Sequence, residues 1–200
     1  MSDATRMRTI RNIRNFPFEI RQLQGNYCIP ANVESVNKYF KPNSPLTQQE
    51  IMSEFNRRNP PHGPGISFES IKDVVINHNP EFSWANPRYV AGSFKHIMET
   101  VKASVNHSWP PIISVYGGRV SNNLYFHALT VVGYDDTSFR VHNTQAPQGG
   151  QNPSDVPIAG IRQGLLQARS SQGRPADDST DLLVLRRACL LSRIANFAFH

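Results

Sequence analysis

Cysteine is scarce in this chain. There are two among 200 residues, Cys28 and Cys189, far apart and in no CxxC pair. Two such residues cannot build the disulfide framework of a small secreted module, and the commonest zinc signature is missing. No metal or organic cofactor is expected. Long apolar runs are absent as well: nothing approaches the ~18 residues that a membrane helix requires, so no transmembrane segment is expected. The N-terminus, MSDATRMRTIRNIRNF, has no continuous apolar stretch and does not read as a secretory signal. Internal repeats are lacking. So is any aromatic-interleaved basic stretch or nucleic-acid motif, and no nucleic-acid partner is expected.

What remains is an ordinary globular composition, 38% apolar and 18% charged, long enough to bury a core as one domain. The net charge of +6 is concentrated early, at Arg6, Arg8, Arg11 and Arg14. Residues 1–15 read as a basic arm. It is either a solvated leader or a segment for an anionic partner. Residues 16–200 read as a single domain, with 169–180 a flexible loop and 181–200 an apolar terminal element, either a core helix or a strand pair.

Periodicity orders that domain. Ile29, Val33, Val36 and Phe40 recur at helical spacing, with Pro30 in the first turn and Lys41-Pro42 as the stop. Thr47 and Glu50 form a capping box that opens a helix through about Phe55. Residues 59–65 are a Pro/Gly loop. Ser67 caps a helix with Phe68, Ile71, Val74 and Val75 on one side, residues 79–92 read as irregular, and Ser93 caps a helix carrying Phe94, Ile97, Met98, Val101 and Val105. The pattern then turns strand-like: Pro111–Tyr116, Tyr125–Tyr134, a turn at Asp135–Thr137 and a returning strand Ser138–Asn143. Residues 144–155 read as a loop and 158–168 as a short helix. Helices first and a sheet afterwards predict an α+β fold whose helical and sheet parts pack as two lobes.

Cys28 stands just at the start of the first helix. Free N–H groups and the macrodipole there favour a thiolate, the nucleophilic form of the side chain. With a tight turn of two or three residues centred on Asp135-Asp136, His127 and Asn143 can be cross-strand partners, about 5 Å apart at Cβ. The Asn carboxamide can then take the imidazole N–H, fix the tautomer and aim the other nitrogen at a nucleophile. Singly these residues have plainer uses: a buried small hydrophobe, a strand histidine, a turn asparagine. Asp135 and Asp136 read as the hairpin turn. His142 points to the opposite face from Asn143. His62, Trp84 and Trp109 could line a cleft, but exposure for His62 and simple packing for the tryptophans are the favoured readings.

Taken together, four features resemble the papain-like cysteine peptidases, specifically the C39-like branch of compact bacterial enzymes. Gln22 precedes Cys28 at the spacing of that family's oxyanion-hole glutamine, and Cys28 opens a helix. His127-Ala128-Leu129-Thr130-Val131-Val132-Gly133-Tyr134 is similar to the family's HAxxxVGY strand, and Asn143 falls where the family places the residue orienting its histidine. The match covers roughly residues 16–145 and leaves the rest unplaced. It implies a papain-like two-lobe fold with the nucleophile helix against an antiparallel sheet. Cys28 would attack as a thiolate paired with protonated His127, Asn143 would orient that ring, and the Cys28 N–H and Gln22 amide would bind the oxyanion. Gln24 competes with Gln22, at a poorer spacing. The chain departs from the family in Ile-Pro-Ala after the cysteine and Thr144-Gln145 after the asparagine. No transporter segment accompanies the domain, so it resembles a stand-alone peptidase acting on a protein or peptide, located in the cytoplasm or delivered as an effector without a cleaved signal. The same machinery serves deamidases, transglutaminases and acetyltransferases, and a silent binding protein of the same fold is a further alternative.

Overall fold

A strand in which every residue is apolar needs cover on both of its faces. Two runs here meet that description, Ile112-Ile113 and Leu182-Leu183-Val184-Leu185, and all six residues are buried. They lie in adjacent strands at the centre of a seven-stranded sheet whose pairings are all antiparallel. The computed structural model describes residues 6–58, 66–77, 85–116, 126–146, 150–171 and 180–187. Its strands are β1 (Arg8–Thr9), β2 (Ala85–Gly92), β3 (Pro111–Tyr116), β4 (Phe126–Tyr134), β5 (Ser138–His142), β6 (Ser154–Pro157) and β7 (Thr180–Arg187). The order across the sheet is β2-β7-β3-β4-β5-β6, with β1 paired to the end of β4.

Among the described residues there are five helices: α1 (Cys28–Phe40), α2 (Gln48–Arg58), α3 (Phe68–Asn77), α4 (Phe94–Asn106) and α5 (Ile158–Ser171). Helix α1 packs on β3, β4 and β7, with α2 alongside it, while α3 lies on β2 and β7. The middle of α1, from Pro30 to Asn37, is buried all round. That is why its polar residues Asn32, Ser35 and Asn37 all carry side-chain hydrogen bonds. Thr47 and Glu50 do form the capping box: Thr47 N–H donates to Glu50 Oε2 at 2.8 Å and Glu50 N–H to Thr47 Oγ1 at 3.3 Å. Ser93 caps α4 through His96 N–H.

The elements differ from the sequence pattern in five places. Residues 85–92, expected to be irregular, form β2. This is an outermost strand, the position in a sheet that tolerates a proline such as Pro87. The loop expected over 144–155 ends early, because Ser154–Pro157 pairs with β5. Helix α5 runs on to Ser171. Within the apolar terminal element, residues 180–187 form a central strand, since a short apolar run satisfies strand and buried helix equally until a partner is found. The basic segment, expected to be an arm, forms a strand at Arg8–Thr9: Ile10 is buried and its N–H donates to Val132 O at 2.9 Å. His62, Trp84, Cys189, most of the 169–180 loop and the chain beyond 187 lie outside the described residues.

Candidate active site

Cys28 is the first residue of α1. The N-cap, Tyr27, contributes no side-chain hydrogen bond, so the first N–H groups of the helix stay available. Backbone N–H groups of Ala128, Ile29 and Cys28 itself bear on the sulfur and favour its thiolate. Burial acts against them and is the larger effect, so the Cys28 thiol is pushed above its ordinary value. The expectation of a resting thiolate is corrected on this point. The helix end supplies the donors, but desolvation between α1 and β4 outweighs them.

His127 lies one residue before Ala128 on β4 and is 5% exposed. Its Nε2 meets Asn143 Oδ1 at 2.8 Å. The same Oδ1 also accepts the Gln145 backbone N–H at 3.0 Å, and a main-chain N–H can only donate. The carboxamide therefore presents oxygen to the imidazole, Nε2 carries the proton, and Nδ1 is left as the basic nitrogen. Burial lowers the His127 pKa, and the contact with Asn143 raises it by less. Each shift favours the neutral form of its own group in the free protein.

The contact is diagonal, where direct opposition was expected. Thr130 pairs with His142 and Val131 with Val141, and the register slips between Val131 and Gly133. The turn itself falls where expected, over Asp135–Thr137, and Asp135 Oδ1 accepts the N–H groups of Thr137 and Ser138. Continuing the Thr130–His142 register sets Asn143 opposite Leu129, two residues from His127 on the same face, which is within reach of a side-chain bond. Asp135 is thus a turn residue, at the far end of β4 from His127.

Where β5 ends, α1 replaces it along β4. Asn32, one turn after Cys28, is wholly buried and donates from Nδ2 to Cys28 O at 2.7 Å, Ala128 O at 3.0 Å and Thr144 Oγ1 at 3.4 Å. Its Oδ1 accepts from Thr130 Oγ1 at 2.6 Å. A single carboxamide thereby fixes the cysteine end of α1 against the histidine strand. Asn152 does the same for Asn143, accepting its N–H at 3.1 Å while donating to His142 Nδ1 at 2.7 Å. His142 lies on the other side of its strand, as expected. It is wholly buried, edge-on to Phe16 and Phe18, with Nε2 at 3.2 Å from Ser35 Oγ. Neither Asn32 nor Asn152 was singled out in the sequence. The one available signal was polar residues, Asn32 and Ser35, recurring on the helix face that begins at Cys28.

Gln22 is joined to this assembly through Thr144, whose hydroxyl donates to Gln22 Oε1 at 3.4 Å and whose carbonyl accepts the Gln22 N–H at 3.0 Å. The Gln22 amide hydrogens are taken up within their own loop: Nε2 donates to Gln24 O at 3.1 Å and Gly25 O at 3.3 Å. Gln24 is exposed and enters only through its backbone. An open cleft of about 710 Å³ runs beside Gln22, lined by Glu19 and residues 21–25 on one side and 144–146 on the other. Trp109 is elsewhere, stacked on His107 with Arg186 over its ring. Among the described residues no three His, Cys, Asp or Glu side chains converge as metal ligands, and no helix is long and apolar enough to cross a membrane.

A cysteine-opened helix laid against an antiparallel sheet that carries a His–Asn pair defines the papain-like α+β fold. A crystal structure from Bacillus anthracis, described as a candidate C39-like peptidase, superposes on this chain with a TM-score of 0.61 at 14% sequence identity, covering 90% of this chain and 98% of that one. The chain therefore has the C39-like peptidase fold; at that identity, the fold is what the two share. No protein-family model matches the chain, and a search of curated proteins returns no match.

Proposed function

We propose that the protein is a cysteine peptidase in which Cys28, His127 and Asn143 form the catalytic triad and Gln22 contributes to the oxyanion site. The observation that carries this reading is the His127–Asn143 bond at 2.8 Å, with its tautomer fixed by Gln145, on the strand whose next residue bears on the Cys28 sulfur.

The neutral resting pair sets the order of events. Substrate covers the site, His127 Nδ1 takes the thiol proton, and the Cys28 sulfur bonds to the scissile carbonyl carbon. The resulting imidazolium is stabilised by Asn143 Oδ1, which already faces its Nε2–H. Negative charge gathers on the carbonyl oxygen and is met by the Cys28 N–H. Gln22 meets it as well, on releasing its longer bond to Gly25 O. His127 then protonates the leaving amine, which departs as the carbon–nitrogen bond breaks. Water, deprotonated by the same Nδ1, opens the thioester and returns the free thiol. The peptide occupies the cleft between residues 21–25 and 144–146, where Leu23 and Ala146 stand among polar side chains.

Mass spectrometry of a proteome-derived peptide library, incubated with the wild type and with Cys28→Ala in the presence of a primary amine, tests the assignment. New N-termini that appear only with the wild type are expected. Amine-linked or deamidated glutamines without new termini would replace hydrolysis by acyl transfer or deamidation, and no change at all would leave a binding protein of the same fold.

A further inference from the structure

We propose that Gln48, held by Glu34, is a positioning residue that sets where the Gln22 amide sits relative to Cys28; this rests on the oxyanion role given to Gln22 above. Gln48 is the first residue of α2 and is 4% exposed, an unusual place for an amide whose helix is already capped by Thr47 and Glu50. Its side chain grips the main chain on both sides of residue 22. Oε1 accepts the Leu23 N–H at 2.9 Å, and Nε2 donates to Arg21 O at 2.9 Å. A backbone donor on one side and a backbone acceptor on the other leave only one orientation for the amide.

The second Nε2 hydrogen goes to Glu34 Oε2 at 3.3 Å, and the same carboxylate oxygen accepts the Gln48 backbone N–H at 3.0 Å. Glu34 is fixed in turn by Lys38 Nζ at 2.7 Å on Oε1. Glu34 and Lys38 belong to α1, the helix that begins at Cys28. The segment carrying Gln22 is therefore referenced to the nucleophile's own helix through Glu34 and Gln48, while Thr144 holds it from the His127 side. Nothing in this chain of contacts touches the sulfur or the imidazole. The device thus acts on the oxyanion site alone, leaving thiol reactivity as it is.

Two reactions separate these effects. Acylation of Cys28 by p-nitrophenyl acetate passes through an oxyanion, whereas alkylation by iodoacetamide does not. Gln48→Met keeps the buried volume and removes both main-chain contacts; Gln48→Ala is a second variant in case the first folds poorly. In either variant acylation is expected to fall roughly 10- to 100-fold, with alkylation changed less than about twofold. In a Gln22→Ala background the Gln48 substitution should then cost nothing further. An equal loss in both backgrounds, or acylation and alkylation falling together, overturns the proposal and leaves Gln48 a purely structural residue. If Gln22→Ala by itself leaves acylation unchanged, the oxyanion role of Gln22 has failed and this proposal falls with it. The single variant identifies that case.

Discussion

Replacing Asn143 with alanine removes the acceptor that holds His127. The bond is short, at 2.8 Å, its histidine is 5% exposed, and during attack it becomes a bond to a charged imidazolium. A hydrogen bond to a charged group is worth about 1.5–3 kcal/mol, which corresponds to a rate loss of roughly 10- to 150-fold. The pH dependence supplies a sign that simple damage would not. In the intact protein burial depresses the His127 pKa and Asn143 partly restores it. Without Asn143 the pKa drops further. Neutral His127 is the active base, so the acid limb of the acylation profile lies below 6.5 in the wild type and moves to still lower pH in the variant, even as its plateau falls. The assay is stopped-flow acylation by p-nitrophenyl acetate between pH 4 and 8. An unchanged plateau, or an acid limb that moves upward, would refute the reasoning. The Gln145 N–H also loses its partner, so stability should decline by about 1 kcal/mol.

Three other outcomes are expected. Iodoacetamide labelling of Cys28 in the free protein should rise with pH through a midpoint above the ~8.5 of a free thiol, because burial outweighs the N–H donors around the sulfur; a midpoint below pH 7 contradicts that balance. His142 is buried neutral with its pKa lowered from 6.5 to about 3. The unfolded chain binds its proton first, so stability contributed by this site is present above pH 6.5 and is lost at about 1.4 kcal/mol per pH unit below it, until the folded-state value is reached. In urea titrations at pH 7, 5.5 and 4.5, His142→Gln should show a shallower acid decline than the wild type, and parallel declines would sink the idea. Gly133→Ala would place a Cβ at 2.8 Å from Arg8 O and 3.0 Å from Thr9 Cγ2. It should destabilise the fold by about 1–3 kcal/mol through displacement of β1, measurable by thermal unfolding.

Local rules carried much of this fold. The apolar stripe of α1, the capping box of α2, the serine cap of α4 and the β-formers of β4 all depend on neighbours in sequence, and each forms. Strands β2 and β7 could not be read that way. An edge strand containing Pro87 and an apolar run at 182–185 acquire their identity only by pairing with each other and with β3. The His127–Asn143 relation was legible as to face but not register, because the slip between Val131 and Gly133 is set by the hairpin's own pairing. Gly133, noted only as part of a motif, has a physical reason: β1 crosses so close that a side chain would strike it. Gln48 and Asn152 carry no sequence signal that separates them from surface amides, and Asn32 has only the polar helix face it shares with Ser35. What marks them is partners far off in sequence, together with burial for Asn32 and Gln48, and these are tertiary facts. The resting ionisation of Cys28 was misjudged for a related reason, since the helix terminus is local and the burial that opposes it is not.

The central claim is that His127 activates Cys28 for attack on an acyl group. Intact-mass and peptide-level spectrometry after rapid quenching of a p-nitrophenyl acetate reaction tests it directly, using the wild type, His127→Ala and Cys28→Ala at pH 7. A single acetyl group on Cys28 is predicted, forming roughly 10²- to 10⁴-fold faster in the wild type than in His127→Ala and absent from Cys28→Ala. Equal rates with and without His127, or acetylation at another residue, would contradict it.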